Sequence, residues 1–408
     1  MQNPLSLPLA KTPACRMAAG LSKQTDSEAA AHELAEEIQS KLGTASADLA
    51  CLFFSGHHIE NAAILTAVTQ RVLQPRFLIG CSGEGIIAGS EELETASGVT
   101  LLAASLPGLT IEPLHISFSS SQDQFRLHSH PPFRSGTSSL LLFADPFTMP
   151  MQEALKFLDE QYPGTPAIGG LAGGGQETGE NRLILQGDVH TGGLVGLRFS
   201  GPVVIRPVIS QGCRLVGERF VVTKAEHNII QELGGAPALE RLQAVFDALS
   251  ESERRQAHRA LHLGIAIDEH RDHFRPGDFL VRNLVGADQE SGSIAVGDIV
   301  QEGQTVQFHL RDARSASEDI NTLLAVDRAA HGRRPLGALM FSCCGRGQGL
   351  FGKPHHDAAA LVHQMGDIPV AGFFAQGEIG PVGGRNFLHS YTASMAIFDE
   401  PDHDVTDR

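Results

Sequence analysis

Blocks of hydrophobic and polar residues recur three times along the chain in the same order. Each block begins with an apolar run of strand length, continues with a helix-period segment, and returns to an apolar strand that ends in glycines and precedes a hairpin. The helical segments are NAAILTAVTQRVL, MQEALKFLDEQY and HHDAAALVHQM. We expect an α/β (mixed α+β) fold in two pseudo-repeated halves, with mixed sheets of strand–helix–strand–hairpin units and helices outside.

The segments between these copies complete the predicted organisation. A helix covers SEAAAHELAEEIQSKLG, with Asp26 as its N-cap and Gly43 at its end. A weaker fourth copy is expected from LHLGIAI (261–267) onward, and the Ser/His/Pro-rich stretch 117–139 is expected to be a surface loop or hairpin linker. The predicted division is a flexible arm at 1–22, an N-terminal domain at 23–230, a C-terminal domain at 231–399 and a disordered tail at 400–408.

Composition narrows the class of protein. The 408 residues are 42% hydrophobic and 19% charged, the balance of a soluble globular protein. A net charge of −16 argues against partners that need a basic face, namely nucleic acid and anionic membranes. The six cysteines include no CxxC pair, and the only close ones are adjacent, a spacing that rarely bridges. Reduced thiols and the lack of an apolar run of membrane length lead us to expect a cytoplasmic protein.

The glycine-rich turns are the first candidate binding elements. Gly83–Glu84, Gly377–Glu378 and the variant GGGQETG (173–179) are expected to occupy equivalent places after the second strand of their copies. Glycines let a ligand approach backbone N–H groups, and a neighbouring carboxylate could hold an ammonium group. The alternative is a tight turn in which the glutamate caps backbone amides.

The segment Cys343-Cys344-Gly345-Arg346-Gly347 is the second candidate. It follows an apolar strand directly, at the end where open α/β sheets bind ligands. Arg346 offers a planar fork to a carboxylate or phosphate, and a nearby guanidinium could activate Cys343, a weak candidate for nucleophilic catalysis. The alternative is an inert buried thiol beside an arginine in a structural salt bridge.

Three further patterns concern nucleotide binding, metal binding and a possible pocket wall. Gly347 to Lys353 has the GxxxxGK spacing of a phosphate loop, but Pro354 replaces the required hydroxyl, so neither nucleotide nor cofactor binding is expected. The histidine clusters lack the spacing of a metal site, and no metal is expected. His389 and Tyr391 share one face of the predicted final strand and could form a pocket wall or a hydrogen-bonded core pair.

Several separated motifs together resemble the FIST domain family over about residues 17–399. The N-terminal half is similar in MAAGLSKQTDSEAA, LFFSGHH, IGCSGEG and FVVTKAEHNIIQELGGAPALERL, and the C-terminal half in FSCCGRG, IPVAGFFAQGEIGPVGG and LHSYTASMAIF. The resemblance implies a sensory module that binds small molecules such as amino acids, in the stand-alone bacterial form. Cys343 matches a position that the family also fills with cysteine, whereas Cys344 does not.

These patterns together predict a cytoplasmic small-molecule sensor that signals through a separate protein. The ligand is expected in a cleft roofed by the glycine turns and the CCGRG loop, with Arg346 and Glu378 as polar anchors. The alternatives are an enzyme that uses Cys343, which is the less favoured interpretation, and a ligand-free scaffold for protein interactions. The expected binding residues are Arg346, Glu378, Gly377, Glu84, Gly83, Cys343, His389 and Tyr391.

Overall fold

Three α/β units and one β-barrel make up the structure, a computed structural model that describes residues 14–119, 121–129, 138–271, 274 and 277–400. Asp26 caps the first helix as predicted, because its side chain accepts the Ala29 N–H. The first unit contains β1 (Arg16–Ser22), α1 (Ser27–Leu42), β2 (Leu49–Ser55), α2 (Ala62–Leu73), β3 (Phe77–Gly83), β4 (Ile86–Ala88), β5 (Glu91–Leu93) and β6 (Val99–Ser105).

The second and third units repeat this plan. The second consists of β7 (Thr110–Ser119), β8 (Gln124–Ser129), β9 (Ser138–Ala144), α3 (Met151–Gln161), β10 (Ala167–Leu171), β11 (Leu183–Leu185), β12 (Asp188–His190) and β13 (Leu194–Ser200). The third begins with β14 (Val204–Ser210) and resumes only after the barrel. The barrel contains β15 (Cys213–Glu226), β16 (Ile229–Leu233), β17 (Ala236–Pro237), α4 (Ala238–Ala248), α5 (Glu251–Ala260), β18 (Leu261–Ala266), β19 (Phe279–Asp288), β20 (Ser293–Val296) and β21 (Thr305–Arg311). The remainder of the third unit is α6 (Ala313–His331), β22 (Gly337–Cys343), α7 (Gly347–Phe351), α8 (His356–Met365), β23 (Val370–Ala375), β24 (Glu378–Val382), β25 (Arg385–His389) and β26 (Ala393–Asp399).

Each unit builds its own sheet but gives its hairpin to another unit. The hairpin β4–β5 of the first unit pairs with β23 of the third, β11–β12 of the second pairs with β3 of the first, and β24–β25 of the third pairs with β10 of the second. The exchange is cyclic, and the three sheets share the same order of equivalent strands. No unit completes its sheet without a neighbour.

The shared core lies where the inner faces of the three sheets meet. Phe53 of β2, Phe143 of β9 and Phe341 of β22 occupy equivalent positions and pack edge to face, with ring centroids 5.3 to 6.2 Å apart. Helices α1 and α2 cover the outer face of the first sheet, α3 that of the second, and α6 and α8 that of the third. The predicted mixed α+β class with outer helices is confirmed.

The barrel is a separate structural unit inserted between β14 and α6. Strands β15, β21, β18, β19, β20 and β16 pair in a closed ring, with a hydrophobic core of its own. Its first and last residues, Cys213 and Arg311, lie opposite each other in the pairing of β15 with β21. The insertion therefore leaves the third unit and returns to it at one point.

Several sequence predictions need correction. The segment expected as a fourth copy forms antiparallel barrel strands, because its alternating apolar residues line the barrel core. Residues 16–22 of the predicted arm form β1, held by antiparallel pairing with β6. The architecture is three units with an insertion and not two pseudo-repeated halves. Residue 230, at the predicted domain boundary, lies in β16 of the barrel, and the division into two domains stays a prediction.

Parts of other predictions lie outside the described residues. These are residues 1–13 of the predicted arm, residues 401–408 of the predicted tail and positions 120 and 130–137 of the predicted linker, whose described part includes the hairpin of β7 and β8. In the ranges that the structure describes, no helix combines the length and apolar character needed to cross a membrane.

Candidate functional site

The glycine-rich turns of the three units converge. Each turn donates a backbone hydrogen bond to the second strand of a neighbouring unit, at the carboxyl ends of the parallel strand pairs. The three bonds are Glu84 N–H to Phe374 O (3.1 Å), Gln376 N–H to Leu171 O (3.2 Å) and Gly173 N–H to Ser82 O (3.0 Å). The copies therefore fold onto one another at these turns.

The same bonds correct one detail of the expected equivalence. They match Glu84 with Gln376, so Gly83–Glu84 precedes the position of Gly377–Glu378 by two residues in the repeat. The Glu84 carboxylate accepts the Gly174 N–H at 3.2 Å, as in the alternative in which the glutamate caps a turn. Gly83 lies against Phe373, and a Cβ at this position would come within 2.7 Å of the Phe373 Cβ.

Arg346 lies in a buried ion pair at the end of β22. Its Nε and Nη2 donate to the two carboxylate oxygens of Asp357, at 2.5 and 2.9 Å, and the side chain is 1% exposed. Despite the cost of burial, the guanidinium and its hydrogen bonds keep the pKa of Asp357 below its usual range. This is the structural salt bridge of the alternative interpretation, and ligand contact by Arg346 stays a prediction.

Glu378 lies beside the same loop and is fully buried. Its Oε2 accepts the backbone N–H and the hydroxyl of Thr392, at 3.1 and 2.8 Å, whereas its Oε1 has no hydrogen-bond partner. Burial, and then the Cys343 thiol, raise the pKa of Glu378 well above its ordinary value. Burial therefore favours the protonated, uncharged form of this side chain.

Cys343 and Cys344 differ sharply in their surroundings. Cys343 is 7% exposed, and its Sγ accepts the Gly345 N–H at 3.5 Å, whereas Cys344 is exposed. A hydrogen bond with Cys344, together with burial, raises the pKa of Cys343, and the same bond lowers the pKa of Cys344. A buried thiol with a raised pKa reacts slowly with a substrate that comes from solvent, so these surroundings do not favour catalysis by Cys343.

Tyr391 connects this loop to the barrel. Its φ of 65° places a non-glycine residue in the left-handed region, a strain that is common at functional sites. Its ring centroid lies 4.4 Å from the Arg311 guanidinium and 4.3 Å from the His262 ring. Its hydroxyl donates to the side-chain oxygen of Asn283. Three side chains of the barrel wall thus surround one side chain of the third unit.

A pocket of about 390 Å³ opens beside Tyr391, between the barrel wall, helices α4 and α5, and the third unit. We call it the Tyr391 pocket. Its volume is in the range of small-molecule sites. Its lining comprises Leu242, Gln243, Phe246, Ala257, His258, Leu261, His262, Asn283, Leu284 and Tyr391.

His262 is the most unusual group of this lining. It is 4% exposed, and neither ring nitrogen makes a hydrogen bond of standard geometry, although the Asn283 side chain is close enough to interact with it and to raise its pKa. Burial, and then the positive charge of Arg311, lower its pKa to about 4, so the imidazole is neutral at pH 7. A neutral imidazole offers one donor and one acceptor, and leaving both unpaired in a buried place is costly.

Comparison with known proteins identifies the family. The FIST N domain model matches residues 48–236 and the FIST C domain model matches residues 238–381. The chain belongs to the FIST family, a family of sensory domains. An uncharacterized protein of Mycobacterium tuberculosis is 41% identical over 385 residues, which cover 94% of this chain and 99% of the relative. An uncharacterized protein of Mycobacterium bovis is 39% identical over 385 residues, which cover 94% and 98%.

The FIST fold brings most of the predicted site residues to one region. Cys343, Arg346, Glu378 and Tyr391 surround the end of β22, and Glu84 is close enough to affect the Cys344 thiol. Gly377 packs at the start of β24, where its carbonyl accepts the Leu171 N–H. His389 is 2% exposed and donates from Nε2 to the Gly380 carbonyl at 3.0 Å, the arrangement of a core hydrogen bond.

The FIST barrel supplies residues that sequence reasoning missed, above all His262, Asn283 and Arg311. His262 alternates with Leu261 and Leu263 on β18, so it faces away from the barrel core. A histidine at the polar position of an apolar strand is a detectable but unspecific signal. In the described ranges, no three His, Cys, Asp or Glu side chains are placed to hold a metal ion.

Proposed function

We propose that this FIST protein senses a small organic molecule that binds in the Tyr391 pocket, and that it signals through a separate protein. The observation that carries the proposal is the buried His262, whose ring nitrogens make no hydrogen bond of standard geometry, in the wall of a 390 Å³ pocket. A ligand that pairs one of these nitrogens after a small rotation of the ring reduces the cost of leaving it poorly satisfied. The strained backbone at Tyr391 supports a functional role for the same place.

The lining favours one class of ligand. Half of it is apolar, and the remainder consists of histidine, asparagine, glutamine and tyrosine, with no Asp, Glu, Lys or Arg. Amino acids are the ligands that the family resemblance implied, but a zwitterion would leave two charges without partners here. We therefore propose an uncharged ligand with an apolar body and with adjacent hydrogen-bond donor and acceptor groups, such as an amide or lactam.

The position of the pocket links ligand binding to the placement of the barrel relative to the third unit. The barrel is connected to the third unit at one point, between Ser210 and Ala313, and the pocket lies between these two bodies. A ligand that binds one relative placement of the barrel better than another shifts the population by that difference in affinity. The six free cysteines fit a reducing compartment, so we place this sensor in the cytoplasm.

Thermal shift with chosen probes tests the ligand class. We expect benzamide and small lactams to raise the unfolding temperature by roughly 1–3 °C at saturation, because a ligand that binds only the folded state stabilises it. L-Phenylalanine and L-leucine are expected to have a smaller effect at equal concentration. A larger shift with the amino acids would contradict the proposed class.

A pocket-filling variant tests whether the probe binds in the Tyr391 pocket. Ala257→Phe fills the Tyr391 pocket, whereas Ala45→Phe makes the same change at a distant pocket near Asp48. We expect the first substitution to abolish the shift caused by benzamide and the second to retain it. Equal shifts in both variants would show that the probe binds elsewhere.

A further inference from the structure

Two adjacent thiols at the end of β22 form an asymmetric pair. Cys343 is buried and its Sγ accepts a hydrogen bond from the Gly345 N–H, whereas Cys344 faces solvent. The backbone holds both residues from opposite sides, since Cys343 N–H donates to Thr392 O at 2.9 Å and Cys344 N–H donates to Ala375 O at 3.0 Å. The pair is therefore hydrogen-bonded both to β23 and to residues 390–392, between β25 and β26, which we call the Tyr391 loop.

Among the six cysteines, Cys344 has the surroundings of a reactive thiol. Its hydrogen bond with Cys343 lowers its pKa, although burial and the nearby Glu378 and Glu84 oppose the change. Burial raises the pKa of Cys15, Cys51, Cys81 and Cys213. An exposed thiol that ionises more readily than its neighbours reacts first with oxidants.

We propose that Cys344 is a reversible oxidation site for peroxides and that Cys343 is the thiol that closes it into a disulfide. The Cys344 thiolate attacks a peroxide oxygen, so an S–O bond forms, the O–O bond breaks and the leaving oxygen takes a proton. Sulfur loses two electrons and the peroxide gains them. Cys343 then attacks the sulfenic sulfur, an S–S bond forms, and the hydroxyl leaves as water with the proton of the Cys343 thiol.

Adjacency makes this disulfide a labile one. A bridge between neighbouring residues closes a small ring, and their Cα atoms lie closer than those of most disulfides, so the closed form is strained and readily reduced by low-molecular-weight thiols. This agrees with the rarity of such bridges as permanent structural links. Ring closure moves the two backbone N–H groups bonded to Thr392 and Ala375, so oxidation also acts on the neighbouring Tyr391 loop.

Mass spectrometry of the full chain under hydrogen peroxide tests the proposal. In the unmodified protein we expect loss of two hydrogen atoms, mapped to the peptide that contains both cysteines and reversed by glutathione. In Cys343→Ser the Cys344 sulfenic acid has no resolving thiol, so dimedone is expected to trap it. In Cys344→Ser, Cys343 is expected to stay reduced at the same peroxide dose.

Cys15 supplies the matched control, because it is partly exposed but has no thiol neighbour that lowers its pKa. We expect iodoacetamide to alkylate Cys344 at least about 10-fold faster than Cys15 near neutral pH. Oxidation of Cys15 before Cys344 would overturn the proposal. Equal dimedone trapping in the unmodified protein and in Cys343→Ser would remove the resolving role of Cys343.

Discussion

At the level of single residues, the third unit is distinguished by buried ionisable side chains. Arg346 and Asp357 form a fully buried bidentate pair, and Glu92 is 4% exposed at the start of α8, where its Oε1 accepts the Ala358 N–H at 2.8 Å. Glu92 belongs to the first unit, so its carboxyl group ties the exchanged hairpin to a helix of the third. These groups make the fold sensitive to single substitutions.

Removal of one partner of the buried ion pair should be strongly destabilising. We expect Asp357→Asn to lower the free energy of unfolding by about 3–5 kcal/mol, because it leaves a buried guanidinium without its counter-charge. Urea denaturation measures the change. Arg255→Ala, which breaks the exposed pair of Arg255 with Glu251, is the control and should cost less than about 0.5 kcal/mol. A cost below about 1 kcal/mol for Asp357→Asn would show that Arg346 is not held as described.

Glu92 should give the stability a pH dependence. Burial raises the pKa of Glu92 to about 7 from an ordinary value of 4.5, so folding favours the protonated form. This contribution is fully present below about pH 4.5 and is lost as the pH rises through 7. Between about pH 5 and about pH 8, we expect Glu92→Gln to gain roughly 2–3 kcal/mol of unfolding free energy relative to the unmodified protein.

Urea midpoints across this pH range measure the effect of Glu92. The neighbouring Glu91→Gln is the matched control, since Glu91 pairs with Lys23 at the surface, and its difference from the unmodified protein should stay nearly constant. A difference for Glu92→Gln that does not change with pH would rule out a buried, protonated carboxyl group.

Close strand contacts and exchanged hairpins define the structure at the scale of elements. Gly80, Gly169 and Gly372 stand at equivalent places in the second strands of the three units. A Cβ at each would come within 1.9 Å of a main-chain oxygen on the first strand, namely that of Leu52, Leu142 or Met340. The repeated glycines therefore permit the parallel pairs to approach closely.

Alanine at these glycines should disrupt the sheets. We expect Gly80→Ala and Gly372→Ala each to cost about 3 kcal/mol or more, because the clash involves backbone atoms, which cannot move aside cheaply. Gly349→Ala, where a Cβ meets open space, should change stability by less than about 1 kcal/mol. Thermal unfolding compares the three variants. Equal stability in all three would contradict the close approach.

The local pattern predicted elements better than it predicted their partners. Helix α1 ends where Asp26 and Gly43 indicated, and the strand–helix–strand order of the three units follows from apolar periodicity. The destination of each hairpin could not be inferred, since strands of similar length and hydropathy fit any open sheet edge. The barrel was mistaken for a fourth copy for the same reason.

The site was predicted in part. Tyr391, one of only two tyrosines in the chain, was considered for a pocket wall, and it lies beside a pocket. The glycine turns and the cysteine–arginine loop converge as expected, but through main-chain bonds and a buried salt bridge. His262 comes from a strand far away in sequence, and only the docking of the barrel brings it to Tyr391.

The whole molecule is three interdependent units with one inserted barrel. Because each sheet includes a hairpin from another unit, no unit can unfold alone without opening the sheet of a neighbour. The barrel has its own core and joins at one point, so its stability is less tightly connected to that of the units. This arrangement predicts joint unfolding of the units.

Single tryptophan probes can test this cooperativity, since the chain contains no tryptophan. Ile64→Trp, Phe147→Trp and Val326→Trp replace exposed residues in the first, second and third units. We expect coincident urea midpoints for the three probes, as for a single transition. Val285→Trp reports on the barrel in the same way. Separate midpoints for the three units would contradict the cyclic exchange.

The proposed sensory function depends most on the Tyr391 pocket being a ligand site. Crystals of the full chain soaked with benzamide and small lactams test this directly. We expect electron density for a probe between Tyr391 and the barrel wall, hydrogen-bonded to a ring nitrogen of His262. An empty Tyr391 pocket, with the same probes bound elsewhere, would contradict the proposed function.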